Sequence, residues 1–562
     1  MEQSGIFLAT LLCVPLAACA ATDRGASGGG GTGAFAWSGG NGGNGAAISV
    51  GGSGGGGGSA PSCKVAEATG DAVPECTQKS PPDSFNPVVQ WTWTAPDPEP
   101  GEYRAIGSTI TPLVGNFTDD NHDGAIDLCD TPDILVVAFR SLTLDPTSAW
   151  SASESKMHLL SGDTGFEKLV FEGLVDGWTT PAFGDIDQDG LPEVVTSSPD
   201  GRLVAYENDG KLKWTGAVAG YRATLSSAHC STVSLYDLDG DGGVEILFGF
   251  EVFDASGQLL WGVPGNAAEY KDGFWCVTPT AADLDGDGTL EVLFGHEAYR
   301  ANGQPYFKVP GHSPGHPHVG NFDGDPEPEI LLTTKDGISL LDHKGQVLFQ
   351  HQRPTGGKPQ PNCWGKPGVI HDFDGDGVND IAAGSCTDFT VYNIFPSGAV
   401  PKWTQKIEDM SGLATATAFD FLGDGVPEAL YADEHEAYAF DGQTGVLSLK
   451  SPRNSGTLIE YPVVADVDND GSAEIVVVSN YFEFPGSPPP TVGPTVTVLR
   501  DADDRWIPAR RIWNQHAYHV TNVREDGTIP AVPKKSWLGL NTFRANSQVG
   551  AAGICDPPDP PK

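Results

Sequence analysis

The sequence predicts an all-β protein built as a β-propeller, on the strength of three observations. Short runs rich in β-branched and aromatic residues alternate with turn signals, as in residues 179–215. An acidic loop recurs at blade-like intervals, with starts at residues 116, 185, 237, 283, 321, 372, 420 and 466. Four-stranded meanders that stack radially bury both faces of each sheet. Eight units favour eight blades, and seven remain possible if one terminal unit is incomplete.

The chain begins with a predicted export signal, residues 1–19. An apolar run from Ile6 to Leu16 leads into the motif LAAC, which has the spacing of a bacterial lipobox with Cys19 as the lipidated residue. The residues around Cys19 also fit an A-x-A cleavage site for ordinary secretion. The apolar run is too short to span a membrane as a stable anchor. Both alternatives predict an exported protein, either an outer-membrane lipoprotein or an extracellular or cell-surface protein.

Three further segments flank or contain the repeats. Residues 20–60 are dominated by Gly, Ser and Ala, and they predict a disordered tether because they have too little apolar surface to offset chain entropy. Residues 61–87 form a lead-in that bears Pro and Cys. Residues 88–525 make up the predicted propeller, and residues 526–562 are assigned to a C-terminal tail.

Eight cysteines remain when the segment through Cys19 is set aside. An even number in an oxidising compartment indicates disulfides, and no C-x-x-C pair indicates zinc. Proximity along the chain predicts that Cys63 pairs with Cys76 and that Cys363 pairs with Cys386. Other pairings stay open, since the sequence does not determine connectivity.

The charge balance limits the classes of partner. Lys+Arg 32 against Asp+Glu 74 gives a formal net charge of −42, which argues against nucleic acid and anionic membrane surfaces. Much of this acidity lies in the repeated loops. Bound cations would therefore neutralise a large part of it, and without them the clustered charges should repel. We expect a monomer that meets the membrane only through its N-terminal lipid.

The clearest acidic loop is ADLDGDGTLEVLF, residues 282–294. Asp283, Asp285 and Asp287 alternate along it, Gly288 permits a sharp turn, and Glu291 precedes an apolar run. Carboxylates at this spacing form a compact cage of oxygens, and hard oxygen ligands without His or Cys favour Ca²⁺ over transition metals. An Asp-rich turn with a purely structural role is the alternative.

The motif DxDxDGxxE followed by a β-run resembles the FG-GAP/VCBS repeats of integrin α-chain-like β-propellers, here in a bacterial exported lipoprotein. The resemblance covers residues 88–525. It implies that each loop joins the first two strands of a blade and binds Ca²⁺ through positions 1, 3, 5 and 9 and the carbonyl of position 7. An EF-hand would instead need an acid at position 12 and flanking helices.

Five loops match the family pattern completely. The resemblance implies these Ca²⁺ ligands: Asp185, Asp187, Asp189 and Glu193; Asp237, Asp239, Asp241 and Glu245; Asp283, Asp285, Asp287 and Glu291; Asp372, Asp374, Asp376 and Asp380; Asp466, Asp468, Asp470 and Glu474.

Two loops depart from the pattern by substitution. One has Pro326 where the glycine should be, so its turn must differ, although its ligand set is still predicted. In the other, Leu422 replaces the acid at position 3 between Asp420 and Asp424, which places metal binding there in doubt. The predicted ligands of the Pro326 loop are Asn321, Asp323, Asp325 and Glu329.

The first loop carries an insertion after Asn116. Within it, a twelve-residue stretch matches an EF-type calcium loop, with an acid at position 12 and an apolar residue at position 8. We predict an EF-like site with Asp119, Asn121, Asp123, Ala125, Asp127 and Asp130 as ligands.

Two features of the sequence lie outside the acidic loops: an isolated strand and a set of turns that precede aromatic strands. The strand VVQWTW, residues 88–93, has no local companion, so it either closes the ring as the outermost strand of the last unit or caps the first blade. Turns with TG or DG precede aromatic strands, as in NDGKLKW. They resemble the tryptophan-docking turns of quinoprotein propellers, and the sequence favours a structural docking role because the elements of a quinone site are absent from it.

Histidines and a C-terminal motif are the remaining candidates. A group comprising His312, His316, His318 and His371 is read either as a transition-metal site in the channel or, as we favour, as the polar lining of a wet channel. The segment from Arg510 to His519, RRIWNQHAYH, is interpreted either as a ligand-binding surface or, as we favour, as a plug that closes the ring.

The sequence therefore predicts an exported calcium-binding propeller that acts as a cell-surface binding or adhesion module for a protein or a glycan. Its partner would contact the loops at the tops of the blades. No nucleophile motif or Ser-His-Asp series emerges, and we assign no catalytic residue. Because the fold does not determine the function, a polysaccharide lyase or glycosidase on the same propeller remains the main alternative. A structural envelope protein is the third.

Overall fold

The computed structural model describes residues 78–96, 104–145, 148–220, 230–263, 276–359, 363–409, 414–483, 492–550 and 553–554. The export signal, the tether and the Cys63–Cys76 pairing lie outside the described residues. None of the helices in the described ranges has the length and apolar character needed to cross a membrane.

Eight antiparallel sheets of four strands form the eight blades of a β-propeller, as predicted. Each blade begins at its innermost strand, and the strands follow the chain outward except in the last blade. From innermost to outermost, the strands of blades 1 to 4 are Leu113–Gly115, Asp133–Asp145, Ser148–Ser161 and Glu167–Val170; Ala182–Gly184, Glu193–Ser197, Arg202–Tyr206 and Leu212–Val218; Cys230–Tyr236, Glu245–Phe248, Glu251–Phe253 and Leu259–Gly262; Thr280–Ala282, Glu291–Phe294, Glu297–Tyr299 and Pro305–Lys308.

Blades 5 to 8 follow the same plan. Their strands are Gly315–Gly320, Glu329–Thr334, Gly337–Leu341 and Val347–Gln352; Gly368–His371, Asp380–Ser385, Asp388–Phe395 and Gly398–Lys406; Ala416–Phe419, Glu428–Ala432, Glu436–Asp441 and Leu447–Pro452; Val463–Ala465, Glu474–Val478, Val496–Asp501 and Pro87–Trp93.

Short elements lie outside the blades. Arg104–Gly107 pairs with Asn480–Glu483, and Val549–Gly550 pairs with Gly553–Ile554. Val175–Asp176 pairs with blade 1, while Thr179–Thr180 and Cys276–Val277 pair with the innermost strand of blade 3. The described helices are single 3₁₀ turns at Val520–Asn522 and Ser536–Leu538.

The ring is closed by its first strand. Pro87–Trp93 pairs antiparallel with Val496–Asp501 and becomes the outermost strand of blade 8. The closure prediction is thus confirmed, and the alternative that this strand caps blade 1 is wrong. The register shifts between Val89 and Trp91, and the intervening Gln90 donates from Nε2 to Asp468 Oδ2 at 2.6 Å.

Aromatic rings of the outermost strands dock on glycine turns of the next blade. Trp91 of blade 8 donates from Nε1 to the Gly162 carbonyl of blade 1 at 2.6 Å. Its ring lies so close to Gly165 that a Cβ there would be 2.4 Å from it. Gly165 has a φ of +69°, which favours glycine. The pairs Trp214 with Gly257, Trp261 with Gly303 and Trp403 with Gly445 repeat the contact. These contacts agree with a structural docking role.

Among the described residues, two cysteine pairs form disulfides that join neighbouring parts of the ring. Cys363–Cys386 is present as predicted. Cys230–Cys276 links the innermost strand of blade 3 to the short strand that leads into blade 4. This second pair was not predicted, since it depends on a parallel pairing between segments 46 residues apart.

The chain re-enters the ring after blade 8 and fills its axis. Trp513 bridges Val114 of blade 1, Phe543 bridges Ile370 of blade 6, and further along Ala545 bridges blade 7. Arg510 and Trp513 are buried, as is His516. These contacts agree with a plug and not with an exposed ligand surface. They also bring residues 526–550, assigned from sequence to the tail, into the ring.

Candidate metal centres at the blade loops

The acidic loops lie where the innermost strand of a blade turns into the second strand. We call this end of the ring the loop face. Positions in each loop are counted from its first metal-ligand position, for example Asp185 in blade 2. In most loops the residues at positions 4 and 6 both adopt left-handed φ values, so the chain reverses twice. At position 6 the residues are Gly190, Gly242, Gly288, Gly377, Gly425 and Gly471; at position 4 they are Gln188, Gly240, Gly286, Gly324, Gly375, Gly423 and Asn469.

The left-handed position 4 was missed in the sequence. Glycine recurs there in five loops, which is the signal that could have revealed it. In the Pro326 loop, Gly324 retains the turn at position 4 although proline occupies position 6. That loop therefore keeps its acids together.

Backbone amides fix the first and last acids of each loop. In blade 2, Asp185 Oδ2 accepts the N–H of Gly190 at 3.1 Å, and Glu193 Oε2 accepts the N–H of Ile186 at 3.0 Å. The second contact recurs in every later blade: Glu245 with Leu238, Glu291 with Leu284, Glu329 with Phe322, Asp380 with Phe373, Glu428 with Phe421 and Glu474 with Val467. One oxygen of the position 9 acid thus accepts a backbone hydrogen bond, and the other remains for the cluster of acids described next.

Acids at positions 1, 3 and 9 converge in blades 2, 3, 4 and 6, whereas in blade 5, where Asn321 occupies position 1, the acids at positions 3, 5 and 9 converge. The ligand oxygens in each cluster lie within 4.8 Å of one another, and the described residues contain six such groups. Asp189 Oδ1 accepts the N–H of Leu191, which shows the local role of position 5. Five of the six clusters are Asp185, Asp187 and Glu193; Asp237, Asp239 and Glu245; Asp283, Asp285 and Glu291; Asp323, Asp325 and Glu329; Asp372, Asp374 and Asp380.

The clusters carry an electrostatic cost without a counter-charge. Burial raises the pKa of Glu245 to about 7, and the charges of Asp239 and Asp237 add to the shift. Burial raises the pKa of Asp380 to about 8, again with help from neighbouring carboxylates, of which Asp374 acts most strongly. Like charges held this close favour the neutral acid. A cation in the cage would reverse the preference.

Orphaned oxygens show that the donor set fits a hard cation. Asp380 Oδ1, Asp466 Oδ1 and Glu474 Oε1 are buried and accept no hydrogen bond from the residues that the structure describes. A buried acceptor of this kind is costly unless it is satisfied. All-oxygen carboxylate groups with spare acceptors are typical of Ca²⁺ sites. The residues therefore fit the ion that the family resemblance implies.

Basic side chains enter some of the cages. Lys213, on the outermost strand of blade 2, lies 2.7 Å from Asp187 and 3.0 Å from Glu193. Arg300 of blade 4 lies 2.9 Å from Asp285 and 3.2 Å from Glu291. Lys402 of blade 6 forms an ion pair with Asp374 as well. These blades thus have an internal counter-charge, which no pattern in the neighbouring sequence predicts.

The remaining predicted loops differ from this arrangement. In blade 1, Asp133 takes the place of the position 9 acid, because its Oδ2 accepts the N–H of Phe117 at 3.1 Å. Lys168 lies 2.7 Å from its Oδ1. Within the EF-like insertion, Asp119 Oδ2 accepts the N–H of Gly124, and both oxygens of Asp130 accept backbone N–H groups. The EF-like site stays a prediction.

One of the candidate histidines, His318, has no ring nitrogen left to ligate a metal. His318 contacts the Leu331 carbonyl through Nδ1 and the Gly368 N–H through Nε2, so both ring nitrogens are used. His316 Nδ1 contacts Thr278 Oγ1 at 2.8 Å. His316 and His318 lie on the innermost strand of blade 5 and are buried. They line the axis as polar residues.

These features define a class: an eight-bladed β-propeller whose repeats carry acidic loops between the first two strands. Residues 185–248 match the family model described as FG-GAP-like repeat. The chain thus contains the repeat that its loops resemble. A search of curated protein sequences finds no relative.

Solved structures share the fold. The V. cholerae biofilm matrix protein Bap1 is similar with a TM-score of 0.63 and 22% identity, over 84% of this chain and 100% of that chain. The exotype rhamnogalacturonan lyase YesX is similar with a TM-score of 0.50 and 17% identity, over 73% of this chain and 75% of that chain. At these identities the likeness extends to the fold.

Proposed function

We propose that this protein is an exported, calcium-binding β-propeller that serves as a cell-surface binding or adhesion module for a protein or a glycan. The observation that carries the proposal is the recurrence of acidic clusters at one joint of the blades. A repeated element at the same structural position acts as a brace for each first hairpin. The recognition surface then lies on segments that vary between blades.

The carboxylates at positions 1, 3 and 9 would hold Ca²⁺, together with those position 5 acids that can turn toward the cage. When bound, Ca²⁺ neutralises the clustered charge and ties the innermost strand to the second strand. The cages of blades 3, 5 and 8 depend most on the ion, because the described residues show no Lys or Arg ion pair with their acids, unlike those of blades 2, 4 and 6. In blade 2, Lys213 competes for the same oxygens.

The face opposite the loop face is the proposed contact surface. Antiparallel strands place the turns between second and third strands there, together with the connections between blades. The C-terminal segment fills the axis, so a macromolecular partner would contact the turns and not enter a channel. The similarity to the biofilm matrix protein Bap1 supports an extracellular binding role.

A polysaccharide lyase is the second candidate, and the similarity to the lyase YesX favours it. One buried ionisable group away from the loops consists of Lys366, Asp409 and Tyr431. Lys366 Nζ lies 3.0 Å from Asp409, and Asp409 also accepts hydrogen bonds from the Tyr431 hydroxyl at 2.6 Å and the Thr457 hydroxyl at 3.1 Å. All three are buried, so a polysaccharide would not reach them. This burial favours the binding module over the enzyme. A structural envelope protein would have no soluble ligand.

The disulfides are typical of an exported protein. We propose that Cys19 is lipidated and that residues 20–60 tether the propeller to the outer membrane. Mass spectrometry of the membrane fraction would detect the lipidated Cys19, and a Cys19→Ser variant should be released into the soluble fraction. A Cys19→Ser protein that stays with the membrane would contradict the lipid anchor.

Two measurements test the calcium and binding proposals. Thermal unfolding of the chain without its export signal should shift upward by many degrees on adding Ca²⁺ to EGTA-treated protein, and Mg²⁺ should not replace it. Indifference to chelation would refute the calcium brace. The Ca²⁺-loaded protein should then bind members of a glycan array or a cell-surface protein without product formation, whereas unsaturated oligosaccharide products from a polysaccharide would establish the lyase.

A further inference from the structure

Two fully buried arginines of the axial segment have very different surroundings. Arg510 donates from Nε to the carboxylate of Glu525, from Nη1 to Tyr518 Oη at 3.0 Å, and from Nη2 to the Val523 carbonyl at 2.6 Å. Every nitrogen of its guanidinium is therefore satisfied, and its charge is balanced by a carboxylate. Arg510 shows how this fold accommodates a buried cation.

Arg544 lacks such partners. Its Nη1 donates to the Gly368 carbonyl at 3.2 Å, and the guanidinium lies 4.8 Å from the ring centroid of Phe543. Its Nε and Nη2 are buried and donate to no acceptor among the described residues. These two nitrogens form the edge of an arginine that holds carboxylates and other anions by two parallel hydrogen bonds. Both nitrogens of this edge are therefore unused among the described residues.

The groups around Arg544 do not balance its charge. None of the described carboxylates is among the groups that act on its pKa, which burial lowers to about 10. Burial holds the pKa of His318 well below its usual value, and the Arg544 charge adds to the effect, so this ring is neutral. The ionisable side chains that interact with Arg544 are Tyr236, Tyr461, His316, His318 and His516.

The backbone holds Arg544 in place. Its N–H donates to the Tyr518 carbonyl at 2.9 Å, and its carbonyl accepts the Thr417 hydroxyl at 2.7 Å. Its φ of +59° lies in the left-handed region, which a residue with a side chain rarely adopts. The backbone of Arg544 is therefore fixed, and the side chain that it carries is fully buried. An isolated charge in such a position is costly unless a counter-ion accompanies it.

We infer that the Nε–Nη2 edge of Arg544 binds a small monovalent anion on the ring axis, either chloride or a carboxylate of formate size. The size limit follows from burial, because Arg544 and its neighbours His516 and Tyr518 are each 0% exposed. A glycan or peptide terminus cannot reach the edge in the closed ring. The anion is held as a structural counter-ion and exchanges only when the axial segment opens.

Crystals grown in bromide test the site directly. An anomalous difference peak beside Nε and Nη2 of Arg544 is expected, and it should be lost when formate replaces bromide if the site accepts both anions. Retention of bromide in formate would assign the site to halides. A site that holds no bromide, with water at the edge or nothing at all, would overturn the inference.

Stability in solution gives a second test, at constant ionic strength and saturating Ca²⁺. The midpoint of thermal unfolding should rise with chloride against a gluconate background and then saturate. Arg544→Lys removes the two-pronged edge and should abolish this dependence, whereas the matched control Arg510→Lys should retain it. A chloride response that persists in Arg544→Lys would overturn the assignment. If that variant does not fold, the bromide measurement on the unaltered protein still decides.

Discussion

Replacing Trp91 by Ala should weaken the closure of the ring more than an equivalent change elsewhere. The indole is 9% exposed, and it donates a hydrogen bond across to blade 1 at 2.6 Å. Loss of a buried Trp costs about 3–5 kcal/mol, and the lost hydrogen bond adds about 1 kcal/mol. Since the strand that bears Trp91 has no covalent continuity with its partner strand, the loss should favour its detachment.

The assay combines chemical denaturation with limited proteolysis. Trp261→Ala is the matched control, because Trp261 makes the same contact with Ala301 at 2.7 Å between two blades that are continuous in the chain. Both variants should lower the denaturation midpoint. Only Trp91→Ala should open a cleavage site within residues 78–96 under native conditions. Equal protection of that segment in the two variants would refute the view that the first strand is the weak point of the ring.

Three further predictions follow from the site and its surroundings. Lys213→Met should tighten Ca²⁺ binding by the blade 2 loop several-fold in a calorimetric titration, because an ammonium no longer occupies its oxygens; weaker binding would contradict this. Burial lowers the pKa values of His312 and His519 to about 4 in the folded protein. In the unfolded chain these histidines have a pKa of about 6.5, so as the pH falls below 6.5 the unfolded chain binds protons that the folded protein does not. Stability at saturating Ca²⁺ should therefore fall between pH 6.5 and 4, and a flat midpoint over this range would count against it. Replacing Cys230 and Cys276 by Ser should cost roughly 3–4 kcal/mol, visible as a lower midpoint whose response to reductant is smaller than that of the unaltered protein, because Cys363–Cys386 is still present.

The blade count and the closing strand could be predicted because both depend on local sequence. In residues 88–93 apolar and polar side chains alternate clearly, which predicts a strand. No other strand lies next to it in the sequence, so it had to pair either with the last blade or with the first. The acids of the loops were equally readable, since their spacing of two residues places them along one short turn. Position 4 of the loops was readable too, from the glycines that recur there, but it was not recognised.

Other parts depend on contacts that the sequence does not encode locally. Lys213 reaches Asp187 only because the outermost strand of blade 2 lies over its own loop, which is a matter of sheet register. Cys230 finds Cys276 through a parallel pairing between a blade and a connection. Arg544 reaches the axis because the chain turns back into the ring after closing it. No pattern within a few residues of these positions carries that information.

The closing strand also has a mechanical consequence. Pro87–Trp93 is the first strand of the described chain, and it is held by backbone pairing with Val496–Asp501. Residues just before it are fastened as well, since the Ser80 N–H donates to the Leu422 carbonyl of blade 7 at 2.8 Å. If the N-terminus is anchored while a partner pulls on the propeller, the load passes through this strand before it reaches any other. The pairing that completes the ring would then set the force that the attachment withstands.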